Sequence, residues 1–197
     1  MSDLAAAIKA ARGCRLCADA LPLGPRPVFQ LDPRVRLLLI SQAPGTKVHE
    51  TGRTFNDRSG DRLRDWLGID RETFYGNRRF GIMGMGFCYP GVDARGGDRP
   101  PMTICAPTWH PRFLGLLPRV ELKLLVGQYA LVRYLGERRR ATLTETVRAW
   151  RDYLPEFLPL PHPSWRNTGW LKRNPWFERE VVPELRRKVR RLLELKS

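Results

Sequence analysis

The segment VRLLLI (35–40) runs straight into SQAPG (41–45). Leucines and an isoleucine without polar alternation are what a strand carries when both faces of its sheet are covered. A Pro-Gly turn directly behind such a strand places Ser41–Gly45 at its C-terminal edge, which is where open α/β sheets bind their ligands. Three further apolar runs follow. FGIMGMGF (80–87) reads as a Gly-rich strand, which implies close approach of another backbone or a ligand, and VELKLLVG (120–127) reads as a third. FLPLP (157–161) is a last short strand that leads into HPSWRN (162–167).

Helical periodicity falls between these runs. Helices are expected over 3–11, 59–69 with Ser59 as N-cap, 108–117, 128–136, 142–154 and 174–195, with loops over 46–60 and 89–101. Strands alternating with helices predict a three-layer α/β/α sandwich around a central four-stranded, mainly parallel sheet, and 197 residues suit a single domain over 1–197. Loops after the first and last strands then share one sheet edge, which brings SQAPG and HPSWRN together.

Thirty-five Lys and Arg against 20 Asp and Glu give a formal charge of +15. That balance favours a polyanionic partner, nucleic acid first among them, although an arginine-rich solvated surface accounts for it as well. The N-terminal stretch has no apolar core of signal-peptide length, and no run approaches the ~20 residues of a membrane span. The expectation is a cytoplasmic, membrane-free monomer. In a reducing compartment Cys14, Cys17, Cys88 and Cys105 are poor material for disulfides. A C-x2-C pair followed by two more cysteines suits a tetrahedral zinc or a 4Fe–4S cluster, which spacing does not separate; four buried core thiols are the plainer alternative.

The loop TKVHETGRTFNDRSGD (46–61) gathers His49, Glu50, Arg53, Phe55, Asn56, Asp57 and Asp61 beside the first strand. An acid able to orient water next to an aromatic able to stack on a base is the equipment for hydrolysing a flipped nucleotide. Such a reaction leaves positive charge on the sugar and negative charge on the departing base, so a donor must face the carboxylate. His162, set between two prolines at the end of the last strand, is the candidate donor. As a neutral imidazole it would stabilise the leaving anion.

At this point the residues resemble a known family. SQAPG is similar to the first motif of the uracil-DNA glycosylase superfamily, and HPSWRN to its second, which carries a catalytic His and the segment that pushes into the duplex. TGRTFNDRSGD most resembles the bacterial and archaeal iron–sulfur members, families four and five. The resemblance implies that the backbone at Gln42 and Ala43 contacts the base, that Phe55 stacks on it, and that His162 donates to its O2 oxygen. Ser164, Trp165, Arg166 and Asn167 would enter the DNA minor groove, and Cys14, Cys17, Cys88 and Cys105 would hold a 4Fe–4S cluster, with zinc as the alternative. Two departures stand out. The first motif lacks an acidic or Asn side chain, so the water-positioning carboxylate must come from elsewhere, with Asp57 the best placed and Glu50 and Asp61 its rivals in the same loop. Gly84 stands where many relatives place an Asn that reads the pyrimidine edge, so hypoxanthine or another deaminated base in DNA joins uracil as a candidate substrate. The other reading is a catalytically weak or inactive iron–sulfur module of the same fold that binds DNA or senses damage.

Overall fold

A computed structural model describes residues 3–94 and 96–195. Strands β1 (Leu37–Ser41), β2 (Phe80–Gly84), β3 (Leu122–Val126) and β4 (Phe157–Leu160) form one sheet in the order β2-β1-β3-β4, with every neighbouring pair parallel. The central β1 pairs Leu37 with Phe80 on one side and with Leu122 on the other. Its side chains alternate between two cores, as a strand covered on both faces must. Leu37 and Leu39 join Leu63, Trp66, Phe74, Phe177 and Leu185 in one core, and Leu38 and Ile40 join Ala7, Trp109, Phe113 and Leu131 in the other. These two cores are the interfaces of a three-layer α/β/α sandwich. Pro159 is tolerated inside β4 because β4 is an edge strand.

One layer is built from α1 (Asp3–Arg12), α5 (Cys105–Gly115) and α6 (Gln128–Leu135). The other holds α3 (Arg58–Leu67), α4 (Arg71–Gly76) and α9 (Val182–Leu193), the last presenting Leu185, Val189 and Leu192 to the core. No helix among the described residues is long and apolar enough to cross a membrane.

Several boundaries differ from the sequence reading, each for a local reason. The expected loop 46–60 contains a helix, α2 (Thr46–Thr51), closed by Gly52 at φ 66°. Helix α3 is capped by Asp57, whose side chain accepts from the Gly60 amide, and not by Ser59. Residues 142–154 divide into α7 (Leu143–Arg148), which opens with a Thr142–Glu145 capping box, and a 3-10 turn over Trp150–Tyr153. The C-terminal helix begins with a π turn at Phe177–Val181, and α8 (Thr168–Arg173) fills the stretch before it. Helix α4 has its own Asp70 cap, which an apolar-period search over a six-residue element does not find.

Candidate active site

In the strand order β2-β1-β3-β4 the chain leaves β1 towards β2 and leaves β3 towards β4, so the loops behind β1 and β3 part and open a crevice at the C-terminal edge. A cavity of about 310 Å³ occupies that edge, within the range of small-molecule sites. Ser41–Gly45 form one wall and His162, Ser164, Arg166 and Asn167 another. The predicted meeting of the two motifs therefore occurs. Phe55, Asp57 and Gly84 complete the set of expected residues on the cavity wall, together with Val28, Val48, Thr54, Ser59, Ile82 and Asp98.

Phe55 reaches the cavity from a strained backbone, at φ 51°, a conformation that a bulky residue adopts at a cost of order 1–3 kcal/mol. Its ring meets Phe74 edge-on at 6.3 Å between centroids. Its carbonyl oxygen rests over Gly60, where a Cβ would stand only 1.8 Å away, and accepts from the buried Arg64 at 3.3 Å. The D-R-S-G run thus has a geometric logic. Asp57 Oδ1 accepts from Gly60 N at 2.8 Å, which starts α3, and the missing Cβ of Gly60 leaves room for the Phe55 peptide. Glu50 and Asp61, the rival carboxylates of the loop, do not line the cavity, and Asp61 is paired with Arg64 at 2.6 Å. Asp98 does line it, and sequence reading missed it because its position depends on a turn in the irregular 89–101 loop. There Val92 bridges Asp98, and Arg166 donates to Gly96 O at 3.0 Å.

His162 packs against Gly127 at the end of β3, where an added Cβ would lie 3.5 Å from its own. The Ser164 amide donates to Nδ1 at 3.2 Å, and Asn167 Nδ2 donates to the His162 carbonyl at 2.8 Å. Burial pushes the imidazole below the ordinary histidine pKa, a shift that the carboxylates of Asp57 and Asp98 partly oppose. A neutral ring whose Nδ1 accepts must carry its proton on Nε2. Arg62 on α3 braces the same loop, donating to Ser164 O at 2.9 Å and to Thr168 Oγ1 at 3.1 Å. Nothing in the spacing of Arg62 separates it from the solvated arginines of that helix. Trp165 is 69% exposed, with Arg166 packed over its ring.

Gly84 admits no side chain, since a Cβ would stand 2.4 Å from Gly86 O and 3.2 Å from Gln42 O. The Met85 and Gly86 amides donate to Ser41 O and Gln42 O at 2.8 and 2.9 Å, so this floor is zipped to the first motif. The side chain of Gln42 turns to Arg99 O at 3.5 Å.

The four cysteines form no disulfide with one another, and all line one small apolar cavity of about 20 Å³, with Leu16, Leu21, Pro25, Pro27, Met102 and Ile104. Desolvation pushes the Cys88 thiol up to about 11 and Cys105 up to about 12. The Phe87 amide donates to Cys105 Sγ at 3.4 Å. No group of three or more His, Cys, Asp or Glu among the described residues stands ready to hold a metal ion.

The match to a family model runs over the elements that build this edge. The model described as the uracil DNA glycosylase superfamily covers residues 28–186, from the chain entering the sheet through both cavity-lining motifs and into the last helix, and the chain belongs to that superfamily.

Proposed function

We propose that this chain is a uracil-DNA glycosylase that takes uracil, and other deaminated bases such as hypoxanthine, out of the helix and hydrolyses the N-glycosidic bond. The observation that carries this reading is His162. Its neutral ring accepts from the Ser164 amide at Nδ1 and so offers Nε2–H as a donor at the mouth of a base-sized cavity. A leaving base develops negative charge on the carbonyl oxygen that such a donor would meet.

The steps follow from the walls. The flipped base enters between Phe55, which stacks on its face, and the backbone of Gln42 and Ala43. As the glycosidic bond lengthens, electrons pass to the base and His162 Nε2–H stabilises the resulting anion. Asp57, with Oδ1 held by the α3 amide, presents its second oxygen to water and to the cationic sugar. Water adds to the sugar carbon, and the base departs and takes up a proton. Ser164, Trp165, Arg166 and Asn167 form the segment that fills the gap in the duplex, and a chain of charge +15 is attracted to the phosphates.

Cys14, Cys17, Cys88 and Cys105 offer the ligand chemistry of a 4Fe–4S cluster, since their thiols border one cavity whose remaining walls are apolar and which offers no nitrogen or oxygen ligand, although among the described residues they are not drawn together as a ready metal site. A cluster held by these four thiolates would fasten the N-terminal segment to the 88–105 loop and would take no part in hydrolysis. Zinc on the same sulfurs would do the same and leave the protein colourless. Duplexes carrying uracil, hypoxanthine or xanthine, incubated with the protein and then cleaved at abasic sites with alkali, test the function. Strand scission at uracil is expected, and intact strands with every base would overturn the reading.

A further inference from the structure

Behind the floor of the cavity lies a buried polar chain that catalysis, as derived above, does not use. His110 on α5 is 1% exposed, yet both ring nitrogens are engaged: Nε2 with Gly84 O at 2.9 Å and Nδ1 with the Tyr134 hydroxyl at 2.7 Å. The identities of the partners fix the direction. A carbonyl only accepts, so Nε2 bears the proton, and the bare Nδ1 of a neutral ring must accept from the Tyr134 O–H. Burial keeps His110 neutral, holding it down to about 4 with help from Arg133, and burial raises Tyr134 as well. Phe87 stacks on the imidazole at 5.9 Å and holds its plane.

Of the described glycines that line the cavity, Gly84 is the one where no side chain fits, so its peptide itself would be the surface that a base meets. A peptide at the last residue of a strand is held on its amide side by the sheet, and its carbonyl needs a separate donor. Here His110 is that donor. We propose that Tyr134 and His110 are positioning residues of the base pocket, a neutral relay that turns the Gly84 carbonyl towards α5 and thereby fixes which bases the floor accepts. The proposal rests on the glycosylase reading of the site.

The test is single-turnover excision across protein concentration, with uracil and hypoxanthine duplexes, for the wild type, His110→Gln, His110→Leu and Tyr134→Phe, beside melting curves of each. Gln retains an amide donor that reaches the Nε2 position, whereas Leu leaves the carbonyl unpaired. Leu should raise the half-saturating concentration roughly tenfold, the scale of one unpaired buried acceptor, with the saturated rate changed less than about threefold. It should also narrow the ratio between the two bases. Gln should restore most of both, and Tyr134→Phe should fall between. The ring ¹⁵N shifts of His110 in the DNA-free protein report the Nε2–H tautomer independently of activity. An Nδ1–H tautomer, or a folded Leu variant with wild-type half-saturation and base ratio, overturns the proposal while leaving the glycosylase reading intact. Equal losses in Leu and Gln, confined to the saturated rate, overturn it too. A wild type inert on both bases overturns the glycosylase reading and the proposal together.

Discussion

Gly60→Ala is the substitution whose outcome the geometry constrains most tightly. An alanine Cβ there would stand 1.8 Å from the Phe55 oxygen, 2.7 Å from its carbon and 3.0 Å from its Cβ, and two of those atoms are backbone. Real Cβ contacts lie beyond about 3.4 Å, so the Phe55 peptide must move by more than an ångström. Overpacking of this kind costs about 1–3 kcal/mol. The shift also withdraws the acceptor of Arg64, a hydrogen bond to a charged group whose loss costs about 1.5–3 kcal/mol. Alanine's better helix propensity returns about 1 kcal/mol. The net is a destabilisation of about 2–5 kcal/mol, a large part of the roughly 5–15 kcal/mol that holds a domain together. For a chain of this size the melting temperature should fall by about 5–15 °C, measured by circular dichroism. Because Phe55 moves with its peptide, excision should weaken at temperatures where the variant is still folded. Ser59→Ala, one residue away and not the cap, is the control and should melt within about 2 °C of wild type. A Gly60→Ala protein that melts with the wild type would refute the account of the D-R-S-G run.

Other perturbations separate roles within the cavity. His162→Ala should slow single-turnover excision by about 10²-fold or more with DNA binding nearly intact, the scale for one lost donor to a developing anion; an equal rate would make His162 a turn residue only. Asp57→Ser keeps an N-cap oxygen for Gly60 and should melt close to wild type while losing most of the excision rate, whereas Asp57→Ala should lose both. His110 and His162 both titrate below the ordinary histidine value in the fold, so the unfolded chain binds more protons as acidity rises. Stability is therefore full above about pH 6.5 and drains as pH falls towards the folded value of about 4 for His110, which contributes up to about 3 kcal/mol; urea titrations between pH 7 and 4 check the sign. Protein purified without oxygen should be brown and carry iron, and Cys105→Ser should lose the colour together with melting temperature; zinc or no metal in the wild type would remove the cluster from the account.

The strands were legible because their chemistry is local: short, mainly apolar runs with Pro or Gly within or close behind them mark both the buried sheet and its ligand edge. His162 was legible for the same reason, being fixed between two prolines behind the last run. Asp98 was not, because it reaches the cavity only through a turn whose tip is held by Arg166 of a distant motif. Arg62 was not, because a brace is recognised by its acceptors, Ser164 O and Thr168 Oγ1, which lie about a hundred residues away in sequence. Sequence alone does not separate Ser59 from Asp57 as the cap, because Ser and Asp serve that role equally well; the structure sets the frame two residues earlier by the clearance that Gly60 gives the Phe55 carbonyl. Gly84 read as a missing side chain, and only the distances to Gly86 O and Gln42 O reveal it as a position where none fits.

Main-chain groups fix nearly everything that would face a flipped base. Asp57 is tied by one oxygen to an amide of α3, His162 by one nitrogen to the Ser164 amide, and Gly84 by its carbonyl to His110. Each tie uses half of the group's capacity and leaves the other half directed by the first: a second carboxylate oxygen, an Nε2 proton, a bare peptide surface. Charge stabilisation in a transition state gains most when donors and acceptors need no reorganisation as the bond breaks, and a group locked to backbone has little left to reorganise. The strain of Phe55 at positive φ belongs to the same arrangement. Turning that one residue into the left-handed region sets its ring on the cavity and its carbonyl on Gly60, so the element that would stack on a base and the helix that Asp57 caps share a single backbone constraint. A change that relaxes Phe55 therefore disturbs Asp57 as well, and their effects on excision should be strongly non-additive in a double-mutant cycle.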